Sequence, residues 1–143
     1  MAIKTNPQRA MTSKHAAQAL LEFALIIPLL LLLIMGVLDF GRAYFIKITL
    51  TNAAREGAYY LSYNPSDKTN CVGGVCYQGT IQAIQNEAYS IGVDIKPADI
   101  TITNCCTAGQ YVEVNVRQTV QLTIYRIFYG PLVLNSSSRM VVQ

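Results

Sequence analysis

A single acid, Glu22, stands at the doorway of "KHAAQALLEFALIIPLLLLLIMGVLDFGR" (residues 14–42), whose positions from Phe23 to Leu38 carry no charge. At the centre of a membrane helix a comparable acid costs roughly 2.5–3.5 kcal/mol, and less toward the edge. A carboxylate kept at such a place has two chemical uses. It can snorkel to the headgroups, or it can meet a cation where the low dielectric strengthens the contact.

The other chemistry-bearing residues are the cysteines Cys71, Cys76, Cys105 and Cys106. An even number in a small external domain reads as two disulfides. Of the three pairings, Cys71–Cys76 with Cys105–Cys106 needs an adjacent pair of strained geometry. Bridges from the 71/76 loop to the 105/106 turn are therefore expected, each contributing about 2–4 kcal/mol. Zinc is the alternative offered by the C-x4-C spacing of Cys71 and Cys76, although an adjacent second pair is a poor chelate. Haem attachment lacks its C-x-x-C-H, and neither a metal nor a cofactor is expected.

Catalysis finds no constellation. His15 is the only histidine and lies in the basic N-terminal arm. Ser136, Ser137 and Ser138 form a polar tract without a nucleophile elbow. Asp94, Asp99 and Glu113 are spread over different predicted elements with nothing to pair them for acid–base work. "CVGGVC" lacks the Gly-Lys-Ser/Thr ending of a phosphate loop. Tyr59, Tyr60 and Tyr63 read as packing or interface residues. The chain is not expected to be an enzyme.

The elements that position Glu22 are plain. Residues 19–38 as helix reach ~30 Å, the thickness of a bilayer core, with Glu22 about one turn inside the edge. Residues 1–17 hold Lys4, Arg9, Lys14 and His15 and no acid, and from Gln18 onward Lys/Arg and Asp/Glu balance, so the net charge of +3 belongs to that arm. A basic arm stays on the cytoplasmic side, which puts the C-terminal portion outside. No nucleic-acid footprint is indicated. A signal peptide shares the basic start and apolar middle, but "VLDFGR" offers no small-residue cleavage site after the run.

Beyond the span, small or apolar residues recur at Gly36, Phe40, Ala43, Ile46, Leu50, Ala53, Gly57 and Tyr60. Steps of three and four make one helical face, so a helix is predicted over 18–62. Pro28 can kink it. The small residues of the seam let helices approach closely. In the outer half, packing on the protein's own globular part is an equal alternative to packing on another copy.

Residues 63–143 read as an external α+β head. After a loop over 63–80, Thr80 can cap a helix with Ile81, Ile84, Ala88 and Ile91 on one side, ended by Gly92. "DITITNC" alternates like a strand, and from Val112 to Ile124 the even positions are apolar except Gln118. "FYGPL" is a break, and Leu134–Val142 is a last strand with Leu134, Met140 and Val142 on one side. The predicted fold is α+β: a long N-terminal helix, transmembrane in its first half, with a small antiparallel sheet and one shorter helix packed on its outer half.

"QALLEFALIIPLLLLLIMGVLDFGRAYF" followed by "TNAAREGA" resembles the TadE-like family, pilin-like proteins of the tight-adherence (Tad) branch of type IV pilus systems. The likeness covers residues 18–60 and is specific in order and spacing; beyond Tyr60 it is architectural. It implies that a membrane prepilin peptidase removes residues 1–17, cutting between Ala17 and Gln18 and leaving Glu22 fifth. Ala17 stands where the family more often has Gly, and both are small. The implied partners are other copies or related pilins met through the N-terminal helix, the peptidase, an inner-membrane assembly platform, and the bilayer before assembly. The implied location is the bacterial inner membrane with an extracytoplasmic head, then an extracellular pilus.

On that footing the acid acquires a partner. Cleavage would expose an α-amine on Gln18 with a reference pKa of ~7.7–8.0, largely cationic at neutral pH. An amine from one copy beside Glu22 of the next is a head-to-tail contact that propagates into an open array. The competing function is a solitary membrane-anchored binding module that uses its head and needs no polymer.

Overall fold

The computed structural model describes residues 7–143 apart from 71, 72, 74 and 75. Helix α1 (Pro7–Tyr63) runs through Pro28 without interruption, so the helix begins before Gln18. Residues 1–6 of the expected leader lie outside the described residues. The chain divides into two compact units, the first ending at Leu38 and the second being Asp39–Gln143.

In the first unit the helix is long and apolar enough to cross a bilayer, and its most apolar stretch is not buried within the chain. The leucines from Leu20 to Leu38 are all exposed. So much uncovered hydrocarbon side chain requires lipid or other helices around it.

The second unit joins the outer half of α1 to helix α2 (Gln78–Tyr89) and three strands, β1 (Ile100–Thr103), β2 (Tyr111–Val120) and β3 (Leu132–Val141). Single turns of 3-10 helix stand at Pro65–Thr69 and Pro97–Asp99. The strands are antiparallel in the order β1-β2-β3, with Ile100 opposite Val116, Val114 opposite Ser138 and Val120 opposite Leu132. The alternation read from the sequence sets which side faces in: Val112, Val114, Val116 and Val120 are buried, and Ser136 and Val142 share that side. Val112, Val114, Val116 and Val142 meet Leu50, Ala53, Ala54, Ala58 and Leu61 of α1 and Ile84 and Ala88 of α2 in one core.

Polar contacts fix β3 along α1. Thr51 Oγ1 lies 2.9 Å from Ser136 Oγ, the Lys47 ammonium donates to the Asn135 carbonyl, and Gln143 N donates to Ser62 O at 3.0 Å. Strand and helix therefore run in the same direction, with the β2–β3 connection toward the Asp39 end.

Three expectations about the head need correction. The strand predicted to reach Ile124 ends at Val120, and a further helix, α3 (Thr123–Tyr129), follows. The Thr123 and Ile124 amides donate to the Asp39 carboxylate at 3.0 and 2.6 Å instead of entering the ladder, and donors satisfied this way start a helix. Helix α2 opens at Gln78, so Thr80 lies inside its first turn and is not its cap; Ile91 is exposed. Gly92, at φ +80°, does close the helix, in a left-handed conformation that side chains rarely adopt.

The cysteines also differ from expectation. Cys105 and Cys106 are bonded to each other, so no bridge runs from that turn to the 71/76 loop. Asn104 and Cys106 both have positive φ in the turn that carries this adjacent pair. Cys76 is disulfide-bonded too, whereas Cys71 lies outside the described residues.

Candidate assembly surface

Glu22 is exposed on α1 and accepts a hydrogen bond from Gln18 Nε2 at 3.2 Å, one turn upstream. This is the i, i+4 neighbourhood of a helix face. Gln18 and Glu22 thus form one polar spot in an otherwise apolar stretch, next to Ala17. An ion pair joins Arg139 and Glu113 at 3.1 Å on the outer sheet face and does not involve Glu22.

The seam divides between the two units. Leu50 and Ala53 are in the head's core, Gly57 is buried against α2, and Ile46 packs on the core's edge. This outer part is used within the chain. Gly36, in contrast, has open space where a side chain would be; Phe40 is 71% exposed and Ala43 is half-buried. Phe40 stacks on Tyr44, ring centres 6.3 Å apart. Packing inside the chain therefore explains Leu50, Ala53 and Gly57 and leaves Gly36 and Phe40 without a covering partner among the described residues.

Two acids that sequence reasoning passed over hold the head together. Asp39 caps α3 from across the fold, as described above. Asp67, in the first 3-10 turn, caps α2: it accepts from Gly79 N at 3.1 Å, Thr80 N at 2.8 Å and Thr80 Oγ1 at 2.6 Å, with Asn70 Nδ2 at 3.1 Å. A carboxylate at a helix start satisfies orphan amides and complements the helix dipole. Burial works to raise the Asp67 carboxyl, but the bonds from the Thr80 hydroxyl and amide, Asn70 and Gly79 outweigh it and hold it below the ordinary carboxylate value.

Asp67→Ala is expected to cost about 1–2 kcal/mol at neutral pH, the usual range for a lost cap. Because the folded carboxyl titrates lower than the unfolded one, near 3.9, its contribution is complete above about pH 4. It is lost as pH falls through the folded value. Urea unfolding of both chains in detergent, followed by circular dichroism, should show a gap at pH 7 that narrows at pH 3. A gap of equal size at both would refute the role given to the carboxylate.

The comparison with known families falls on this same helix: the model of the family described as TadE-like protein matches residues 17–58. This segment is TadE-like. It opens at Ala17, contains Gln18, Glu22, the whole apolar run and the Asp39 cap, and closes one residue past Gly57. The TadE-like segment therefore takes in both the uncovered and the buried parts of the seam, while α2, α3 and the sheet lie beyond it. No curated protein and no solved structure matches the chain.

Proposed function

We propose that this chain is a pilin-like structural subunit of a Tad-type type IV pilus, a minor pilin or pseudopilin or a filament subunit, which assembles through its N-terminal helix. The observation that carries the reading is that the TadE-like segment contains an apolar stretch of α1 that no other element among the described residues covers. A solitary anchor needs a span, but it does not need an acid inside the span or a small-residue position such as Gly36 opening outward.

In this reading residues 1–17 are a cytoplasmic leader removed by a prepilin peptidase, and the new Gln18 amine meets Glu22 of an adjoining copy. Support comes from the shared polar spot: Gln18 and Glu22 are already neighbours on one helix face, so a facing copy would meet both together. The second unit would then stand outside the membrane as the displayed head.

Mass measurement and N-terminal sequencing of the chain isolated from its native membrane test this reading. A mature start at Gln18 is expected. A chain retaining residues 1–17 would favour the membrane-anchored binding module.

A further inference from the structure

The hairpin connection between β2 and β3 carries more apolar surface than a loop needs. Ile127 is 74% and Tyr129 78% exposed on α3, and Tyr125 is partly exposed beside Tyr129, ring centres 5.2 Å apart. Among the described residues, nothing in the head covers them. Their place in the fold suggests their partner: the amides that open α3 are held by Asp39, and Asp39 is the residue that ends the apolar run. The β3 register against α1 likewise directs the hairpin tip to this end of the second unit.

The same level of the chain is aromatic and basic. Phe40 and Tyr44 are exposed on α1, one and five residues past Asp39. A groove of about 620 Å³ between α1 and α3 is lined by Arg42, Gln121, Leu122, Thr123, Arg126 and Ile127. Arg126 Nη1 donates to Gln121 Oε1 at 3.0 Å, which holds the second guanidinium at the groove. The acid at this level, Asp39, has both oxygens engaged by α3 amides. Exposed aromatic rings and arginines close beyond an apolar span are the composition of the bilayer interface, where rings settle at headgroup depth and cations meet phosphates.

We propose that α3, together with Phe40 and Tyr44, forms an interfacial collar that seats the second unit on the bilayer surface where the chain leaves the membrane, with Arg42 and Arg126 turned to lipid phosphates. The inference rests on reading residues 19–38 as a span. It adds a lipid-binding surface whose α3 part lies outside the TadE-like segment, and which holds the subunit at a fixed height before assembly. Entry into a filament would have to peel this collar from the membrane.

The chain contains no Trp, so single tryptophans report position without background. The full chain carrying Leu30→Trp, Tyr129→Trp or Tyr89→Trp is reconstituted into vesicles of phosphatidylcholine and phosphatidylglycerol with brominated acyl chains. Tyr89 is 77% exposed on α2, an element that is not part of the collar, and serves as the reference. The L30W and Y129W chains are expected to lose at least half of their emission to bromine, and the Y89W chain little. Quenching of L30W with none of Y129W would overturn the collar while leaving the span intact. Absence of quenching in L30W would overturn the span, and the collar with it. Equal quenching of Y129W and Y89W would overturn a specific seat, and Y129W emission that follows protein density instead of bromine would assign α3 to contact with another copy. Adding R42Q and R126Q to the Y129W chain should reduce its quenching in the anionic vesicles; unchanged quenching would overturn the part given to the arginines.

Discussion

Replacing Glu22 by Ala is expected to lower incorporation of the chain into filaments or assembly complexes by about a hundredfold or more, since leaving one charge of a buried pair alone costs about 3–5 kcal/mol. The sign of the effect separates assembly from insertion. Removing an acid makes the apolar run more apolar, so the E22A chain should enter the membrane at least as well as its parent. Its loss must therefore appear at the later step, when the Gln18 amine of one copy finds no carboxylate on the next. In the uncut chain the Gln18 nitrogen is a neutral helix amide and only its side chain reaches Glu22, so a chain whose leader cannot be removed should fail in the same way. Glu22→Gln keeps a hydrogen-bonding group of similar shape without the charge and should behave like the alanine chain. The measurement is the ratio of assembled to membrane-bound chain, by immunoblot of sheared filaments and of membranes. Parent-like assembly of E22A would reassign Glu22 to the headgroups.

The parts of this fold that could be read from the sequence are those in which neighbours in sequence decide the outcome. The even-numbered valines of β2 are inward because side chains alternate along a strand, and the seam of α1 is continuous because residues three and four apart share a helix face. What stayed hidden depends on partners far away in the chain. The alternation of Val120, Leu122 and Ile124 continues past the true end of β2, and the β-branched and aromatic residues of "TIYRIFY" favour a strand by local preference. The helix forms because Asp39, more than eighty residues upstream, takes the amides of Thr123 and Ile124. Likewise Thr80 has the right type for a cap, but the capping oxygen belongs to Asp67 in the preceding turn, and Thr80 is one of its donors.

The candidate assembly surface divides along the same line. Glu22 and Gln18 were legible because an acid in a hydrocarbon stretch is conspicuous and the two are one turn apart. The periodicity of the seam marked Gly36, Phe40, Ala43, Leu50, Ala53 and Gly57 equally, since small residues at helical spacing look alike whether they meet the chain's own sheet or another copy. Three-dimensional packing separates them: Leu50, Ala53 and Gly57 lie in the head's own core, whereas Gly36 and Phe40 face outward.

That partition leads to the second large effect. Gly57→Val is expected to destabilise the head by ~3 kcal/mol, the upper part of the usual range for overpacking. A Cβ at Gly57 would lie 2.5 Å from Ile84 Cγ1, 2.6 Å from Ile84 Cδ1 and 3.4 Å from Val114 Cγ1. Ile84 and Val114 are fully buried between α1, α2 and the sheet, so neither can turn out to solvent. Glycine inside a helix costs ~1 kcal/mol relative to alanine, and the close approach of α2 is what that cost secures. Gly57→Ala should be milder, because the gained helix propensity offsets part of the clash. Trimming its neighbour should then recover stability: the G57A/I84V double change should be less destabilising than the sum of the single ones, as contacting residues couple. Gly36→Val is the contrasting case, since a side chain there meets nothing within 4 Å in the isolated chain. It should leave the unfolding midpoint of the head unchanged while impairing helix-to-helix assembly. Urea unfolding in detergent alongside the filament assay reads both outcomes, and a G36V chain that assembles like its parent would remove Gly36 from the packing surface.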